Sequence, residues 1–441
     1  MTASDTIYAL SSGAGRAAVA VIRISGAKAS AILVGLSGSL PAARQLALRS
    51  LIDPKTGELL DRAMVAWFPG PASFTGEDCA ELHLHGSPAT LAAVMHILSA
   101  SPGVRPAEPG EFTRRAFLNR KMDLVEVEGL GDLLDARTES QRRQAIRQMS
   151  GEASSVFDSW REQLMLIRAD IEAAVDFADE ADVAEAATPG IDRRTFSLLQ
   201  QIRQELSQSG SSEILRDGVR VVIAGHPNTG KSSLLNALAR REAAIVSDVP
   251  GTTRDAIEVT LDLDGMPLIL TDTAGLRSQP ADLVEKEGIR RSRQHMAGSN
   301  LLIWVWSADV PGSQVPDDRV NPDIIVQNKV DLQSGLPRND SGLRLSTRTQ
   351  QGLQELISQL SELVRGRFGH VESALFVSVR QKQATERSIR ALNDALTLGP
   401  DRLELKAEHI RRATDEIARL TGRVDVEEWL GAIFSRFCIG K

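Results

Sequence analysis

The stretch Gly225-His226-Pro227-Asn228-Thr229-Gly230-Lys231-Ser232 follows the apolar run Val219–Ala224 and matches GxxxxGK[ST]. In that pattern the glycines let backbone N–H groups wrap phosphate oxygens at a helix N-terminus. Lys231 brings a point charge to the outer phosphates, and the Ser232 hydroxyl can ligate magnesium. Asp272-Thr273-Ala274-Gly275 follows Leu268–Thr271, which places Asp272 at a strand end near the magnesium and the Gly275 N–H near a γ-phosphate. Asn328-Lys329-Val330-Asp331 follows a further apolar run, Ile324–Gln327. A carboxylate at Asp331 can accept two N–H bonds from guanine, where adenine presents the wrong edge. Gly251-Thr252-Thr253-Arg254-Asp255 lies between the phosphate loop and Asp272, and one of its Thr residues can complete the magnesium shell. Ser346-Thr347, after Leu343–Leu345, stands where a base-side loop is expected, with Thr at a position usually held by Ala.

Hydrolysis is less standard. Leu276 follows Gly275 where many small GTPases carry a Gln that orients water. A leucine cannot do so. Either the chain is a slow switch that needs a partner protein, or another of its own groups supplies the acid or the charge. Ala281–Gly288 is rich in carboxylates, and Glu285 is the candidate there, set against the many solvated helical Glu residues of any protein.

Strands alternating with helices must hold these boxes: Val219–Ala224, Ile257–Leu263, Leu268–Thr271, Leu301–Trp306 and Ile324–Gln327 predict a mostly parallel sheet covered by helices. Before it, Leu124, Val127, Leu130 and Leu134 recur at helical spacing, as do Val156, Trp160, Leu164, Ile167 and Ile171. The acidic segment from Asp176 to Gly190 interrupts these helices, its Thr188-Pro189-Gly190 reading as a turn. Helical spacing returns with Ile389, Leu392 and Leu396, then Ile410, Ile417 and Leu420. From Ile7 to Asn119, short β-branched runs such as Val19–Ser25 and Met64–Phe68 alternate with turns, the texture of a small α+β domain. The expectation is a multidomain α+β and α/β chain: an N-terminal domain at 1–119, a helical domain at 120–216 and 368–441, and a G domain inserted at 217–367.

The 441 residues carry 51 Lys and Arg against 58 Asp and Glu, a net charge of −7, which excludes the electrostatic footprint of a general nucleic-acid binder. Two cysteines, Cys79 and Cys438, without a CxxC pair, fit a reduced compartment. No run approaches the ~18 apolar residues of a membrane span, and the start MTASDTIYAL lacks a secretory signal, so a cytoplasmic protein is expected.

These boxes, with Asp5-Thr6-Ile7, Arg23-Ile24-Ser25-Gly26, Thr75-Gly76-Glu77-Asp78, Pro109-Gly110-Glu111-Phe112, Ala116-Phe117-Leu118-Asn119 and the terminal Phe437-Cys438-Ile439-Gly440-Lys441, resemble the MnmE (TrmE) family of tRNA modification GTPases over essentially the whole chain. The resemblance implies a Ras-like P-loop G domain inserted in an all-α helical domain, and a homodimer held by tetrahydrofolate-binding N-terminal domains. It also implies action on tRNA with MnmG, an FAD- and NADH-dependent partner, as a heterotetramer that modifies the wobble uridine at C5. The one-carbon unit would come from 5-formyltetrahydrofolate or 5,10-methylenetetrahydrofolate.

By motif, Arg23, Glu81, Lys121 and Lys441 fall on the folate contacts. The nucleotide contacts are Asn228, Thr229, Gly230, Lys231, Ser232 and Ser233, then Ser247, Asp248, Val249, Pro250, Gly251, Thr252 and Thr253. Asp272, Thr273, Ala274, Gly275, Asn328, Lys329, Asp331, Ser346 and Thr347 complete that set. Ser232 and Thr253 fall on magnesium ligands. The resemblance meets the Leu276 problem with a potassium ion, for which Asn228, Ser247, Val249 and Thr252 occupy the ligand positions, Ser247 standing where Thr is frequent. Glu285 falls on the catalytic glutamate, and Cys438 on a residue of the modification chemistry.

His83 and His85, two apart on one strand face, could suggest a metal, but without a further ligand cluster they read as packing groups or as part of the folate pocket. Arg142, Arg143 and Arg147 could meet RNA phosphates, though such runs are usually solvated faces. The competing class is a ribosome-assembly GTPase acting as an RNA-associated switch. Such a protein would carry a basic or aromatic RNA-binding surface in place of this N-terminal domain and Lys441.

Overall fold

The computed structural model describes residues 5–13, 15–176, 181–208, 212–241, 244–245, 258–272, 299–313, 321–332, 342–368, 376, 378–424, 427–437 and 439–440. The chain packs as two compact units, the first of 1–131, 147–195 and 390–441, the second of 132–146 and 196–389.

In the first unit, β1 (Thr6–Leu10), β2 (Ala17–Ser25), β3 (Ala47–Ile52), β4 (Leu59–Phe68), β5 (Cys79–Gly86) and β6 (Val104–Pro106) form one sheet in the order β3-β4-β5-β2-β1-β6. All neighbours are antiparallel except β1 and β6. Alternation along β2 and β5 sends Ile22, Ile24, Leu82 and Leu84 into a core shared with α1 (Ala29–Ser37) and α2 (Pro88–Ser99). The opposite face carries Arg23, Glu81 and His83. α2 starts at Ser87, whose hydroxyl accepts from the Thr90 N–H, with Pro88 in the first turn, where its missing N–H costs nothing. α3 (Glu111–Leu118) follows, then α4 (Leu124–Asp135) and α5 (Glu139–Met149), which are shared with the second unit, and α6 (Glu152–Asp176).

α6 buries Phe157, Trp160, Leu164, Ile167 and Ile171 at three- and four-residue spacing and packs on the helix Leu403–Leu420, which answers with Ile410, Ala413 and Ile417. The turn expected at Thr188-Pro189-Gly190 does not form. α7 (Ala181–Gln208) runs through it with Pro189 inside. The proline removes one ladder bond, a local cost outweighed by burial of Thr188, Ile191, Thr195, Leu198, Leu199 and Ile202 along the same helix.

The second unit contains α8 (Ser212–Asp217), β7 (Val219–Ala224), α9 (Lys231–Ala239), β8 (Ala244–Ile245), β9 (Glu258–Leu263), β10 (Met266–Asp272), β11 (Leu301–Ser307), β12 (Ile324–Asn328) and β13 (Leu343–Arg344). The sheet order is β13-β12-β11-β7-β10-β9-β8, parallel from β13 to β10 and antiparallel at the β9 side, which bears out the mostly parallel sheet expected. β11 is buried at every residue, as a strand covered on both faces must be. Asp264 and Gly265, with φ of 53° and 90°, make the two-residue turn between β9 and β10. The segment 132–146 clasps that hairpin: Thr138 Oγ1 donates to Gly265 O at 2.8 Å and Arg137 donates to Thr260 Oγ1 at 2.9 Å.

Within the first unit, the Lys406 ammonium is almost wholly buried and donates to Asp192 Oδ1 at 2.6 Å. Asp192→Ala strands that charge and should cost roughly 3 kcal/mol of stability, whereas Lys406→Met, which removes it, should be close to neutral. Thermal melts of both variants decide the matter, and equal losses would contradict this account.

Candidate functional site

β7 ends at Gly225, where the phosphate loop begins. A Cβ at Gly225 (φ +149°) would stand 2.1 Å from Val305 O, so only glycine lets the loop pass the end of β11. Gly230 has φ +92°, and a Cβ there would lie 2.2 Å from Asn328 Nδ2. The motif glycines are thus required by the backbone itself. Lys231 opens α9, its side chain buried and its ammonium donating to His226 O at 2.9 Å; Thr229 Oγ1 donates to the same carbonyl at 2.9 Å. Ser232 Oγ donates to Asp272 Oδ2, so a hydroxyl and a carboxylate from two elements converge at the strand ends. That oxygen pair suits a hard divalent cation.

The base side is assembled by Asn328. Its buried carboxamide donates through Nδ2 to Thr229 O at 3.0 Å and accepts from the Thr347 N–H at 3.3 Å, tying the phosphate loop to the Ser346-Thr347 loop. Lys329, at φ +60°, donates to Asn228 O at 2.7 Å and to Asp309 Oδ2 at 2.8 Å. Ser346 Oγ donates to Asp331 Oδ1 at 2.6 Å, which orients that carboxylate. Asn328 thus joins Thr229 to Thr347, Lys329 joins Asn228, Ser346 pairs with Asp331 and Ser232 with Asp272, while Gly230 caps α9, which Lys231 opens and whose first turn holds Ser233. Ser247, Asp248, Val249, Pro250, Gly251, Thr252, Thr253, Thr273, Ala274, Gly275 and Glu285 lie outside the described residues.

A second polar group occupies the outer face of the N-terminal sheet. Arg23 and Glu81 are cross-strand neighbours, with Arg23 Nη2 and Nε donating to Glu81 Oε1 at 2.8 and 3.1 Å. The Arg23 guanidinium lies 5.1 Å from the Phe74 ring centroid and 5.9 Å from that of Phe112, a cation held over two π-faces. His83 Nε2 is 3.2 Å from Glu81 Oε2, while His85 Nδ1 is 2.7 Å from Asp61 Oδ1. The two histidines thus serve separate carboxylates. No group of three or more His, Cys, Asp or Glu among the described residues could hold a metal.

Beside this row, Glu77 accepts from Ser25 Oγ at 2.8 Å and from Arg115 at 2.9 Å, and Glu111 accepts from Arg105 and Arg115. Burial pushes the Glu111 carboxyl up, but Arg105, the Glu108 N–H and Arg115 outweigh it and hold it below the usual carboxylate range. Lys121 is exposed, its stem beside Gly76. Gly440 (φ +104°) sits where a Cβ would be 2.1 Å from Leu10 O, and Ser11 Oγ donates to its carbonyl at 2.9 Å. Its neighbours Cys438 and Lys441 lie outside the described residues. Arg142 and Arg143 both pair with Glu139, which leaves them as a partly neutralised surface run.

Sequence reasoning missed Phe74, the Glu81–His83 contact and Asp309. Their only sequence signals were an aromatic within the motif region, the period of two along β5, and an acidic residue just past a buried strand.

Fold and site together define the class: a P-loop GTPase, with a GxxxxGK[ST] loop between strand and helix and an NKxD box at the end of a parallel strand. The description "GTP-binding protein TrmE N-terminus" matches residues 6–121 and "MnmE helical domain" matches residues 124–438. The tRNA modification GTPase MnmE of Methylobacterium sp. (strain 4-46) is 48% identical over 443 aligned residues, covering 99% of this chain and 100% of the relative. The protein of that name from Rhizobium johnstonii is 47% identical, covering 99% of each chain. The chain belongs to the tRNA modification GTPase MnmE family.

Because Asp331 is oriented by Ser346 at the base side, Asp331→Asn should move preference from guanine toward xanthine nucleotides by ~10²-fold or more. Competition binding with GDP and XDP measures it; an unchanged guanine preference would refute the base assignment.

Proposed function

We propose that the chain binds GTP with Mg2+ and K+, hydrolyses it, and couples the cycle to C5 modification of the wobble uridine of tRNA. It acts as a cytoplasmic homodimer with an FAD- and NADH-dependent partner of the MnmG kind, taking the one-carbon unit from 5-formyltetrahydrofolate or 5,10-methylenetetrahydrofolate. The observation that carries the nucleotide half is the bond from the Asn328 carboxamide to Thr229 O, which brings base reader and phosphate loop together. Family membership and the relatives' shared name, tRNA modification GTPase, support the rest.

Ser232, with Asp272 behind it, would hold magnesium, and Thr253 would be its second ligand. For potassium, Asn228 offers a carboxamide oxygen on an exposed loop whose backbone is fixed by Lys329. Ser247, Val249 and Thr252 complete the proposed set. The bound potassium ion would supply positive charge beside the phosphates, where Leu276 contributes none. Glu285 is the proposed catalytic glutamate.

Arg23, Glu81, Lys121 and Lys441 are proposed to hold the folate. Glu81 keeps lone pairs beyond those used by Arg23 and His83, enough to accept from a pterin's paired N–H donors. Lys121 and Lys441 would meet glutamyl carboxylates. Cys438, next but two to Lys441, would serve the tRNA chemistry or its geometry. The exposed Val19, Leu48 and Met64 lie on the sheet face that carries Arg23 and Glu81, and they suit the proposed contact between two N-terminal domains. No helix among the described residues is long and apolar enough to cross a membrane. The proposed domains are 1–119, 120–216 with 368–441, and 217–367.

GTP hydrolysis should be at least about tenfold faster in potassium than in sodium at equal ionic strength, a part of the 10³–10⁵ effect an arginine finger can supply. Phosphate release in the two salts measures it, and equal rates would remove the potassium ion from the scheme. Arg23→Ala should weaken 5-formyltetrahydrofolate binding about tenfold, since it removes a charge-assisted contact. GTP affinity should hold. Titration calorimetry reads both ligands, and parallel loss of both affinities would point to misfolding.

A further inference from the structure

Asp309 stands just past the carboxyl end of β11, where two of its neighbours are among the most buried polar residues of the unit. Ser307 is 2% exposed and Ser313 is 1% exposed. Ser313 Oγ lies 2.9 Å from Ser307 O and accepts from the Ser307 N–H at 3.3 Å, while Trp304 Nε1 donates to Ser313 O at 3.2 Å. Ser307 Oγ donates to Asp309 Oδ1. One carboxylate oxygen is thereby anchored to the sheet, and the other accepts from Lys329 Nζ at 2.8 Å. The same ammonium donates to Asn228 O at 2.7 Å. The Lys329 ammonium and the Ser307 hydroxyl hold the Asp309 carboxyl below the usual carboxylate range.

As a stabilising ion pair this is a poor one: the Lys329 and Asp309 side chains are 28% and 42% exposed, and pairs in that setting contribute little to folding. Its effect is geometric. A lysine has many rotamers, and a carboxylate fixed on the sheet selects one that brings the ammonium to the Asn228 carbonyl. Fixing a flexible side chain before the ligand arrives removes that ordering cost from binding. Lys329 is also held at φ +60°, a backbone state unusual for lysine, which its surroundings must maintain.

We propose that Asp309 is a positioning residue of the nucleotide site, holding Lys329 against the Asn228 carbonyl and so setting affinity for guanine nucleotides without acting in hydrolysis. The inference rests on the guanine-nucleotide reading of the site.

The test uses the full-length chain, fluorescent mant-GDP titration and steady-state GTP hydrolysis. Asp309→Ala should raise Kd for mant-GDP and KM for GTP about tenfold while kcat changes by less than about twofold, the pattern of lost uniform binding. Asp309→Asn, whose single amide oxygen can face Lys329 while its N–H donates to the Ser307 hydroxyl turned acceptor, should recover most of the loss. In a Lys329→Ala background, Asp309→Ala should add nothing further, because the carboxylate acts through that lysine. Discrimination between GDP and IDP should stay as in the parent, since Asp331 reads the base edge.

Unchanged affinity in Asp309→Ala overturns the proposal, as does a fall in kcat at constant KM, or a full effect retained without Lys329. A variant that melts several degrees lower and binds nothing, with no rescue by Asn, marks a structural role and overturns it too. A parent chain that fails to bind mant-GDP defeats the guanine reading itself and takes this inference with it.

Discussion

The nucleotide site depends on one buried carboxamide. Asn328 has no exposed surface, so each of its polar atoms must find a partner, and the partners it finds belong to two different loops. Nδ2 takes the Thr229 carbonyl and Oδ1 takes the Thr347 N–H. The absence of a side chain at Gly230 follows from the same atom, because a Cβ would stand 2.2 Å from Nδ2. What reads as a phosphate-loop glycine is therefore also the space that a base-loop asparagine needs. The two boxes are one packing solution, about a hundred residues apart in sequence and adjacent because β11 lies between β7 and β12.

The parallel sheet makes this possible. β7, β11 and β12 point the same way, so the loops at their carboxyl ends emerge on one edge. Gly225 passes the end of β11 at Val305 O, Asp309 follows β11, and Lys329 follows β12. The N-terminal sheet solves a different problem. Its neighbours are mostly antiparallel, one face is solvated, and residues two apart line up on it, which is how Glu81, His83 and His85 come to share a row opposite Val19, Val21 and Arg23. Gly440 brings the far end of the chain to the same unit by packing without a side chain against Leu10.

Much of this was legible in the sequence because it rests on short-range rules. The Gly-rich loop, the strand before it and the apolar run Leu301–Trp306 of β11 each follow from local chemistry, and the order of such runs predicts a mostly parallel sheet. The helical periods at Leu124 and Val156 were legible for the same reason. Thr188-Pro189-Gly190 was misread because local propensity there opposes a long helix, and the opposing term, burial of Ile191, Leu198 and Ile202, is tertiary. That Arg23 and Glu81 bond to each other was not legible, since cross-strand register is set by the whole β2–β5 pairing and not by either motif.

Asp309 shows where such reading stops. A lone acidic residue after a strand is among the commonest features of any sequence, and nothing in its neighbours marks it. Its meaning arises from Lys329, twenty positions on, which is itself displaced into a left-handed backbone by the turn that ends β12. That displacement swings the ammonium to a point within reach of both the Asn228 carbonyl and the Asp309 carboxylate. The residue is thus defined by a turn geometry on one strand and an anchor on the next. Only the register of β11 and β12, Ser307 against Asn328, places the two together.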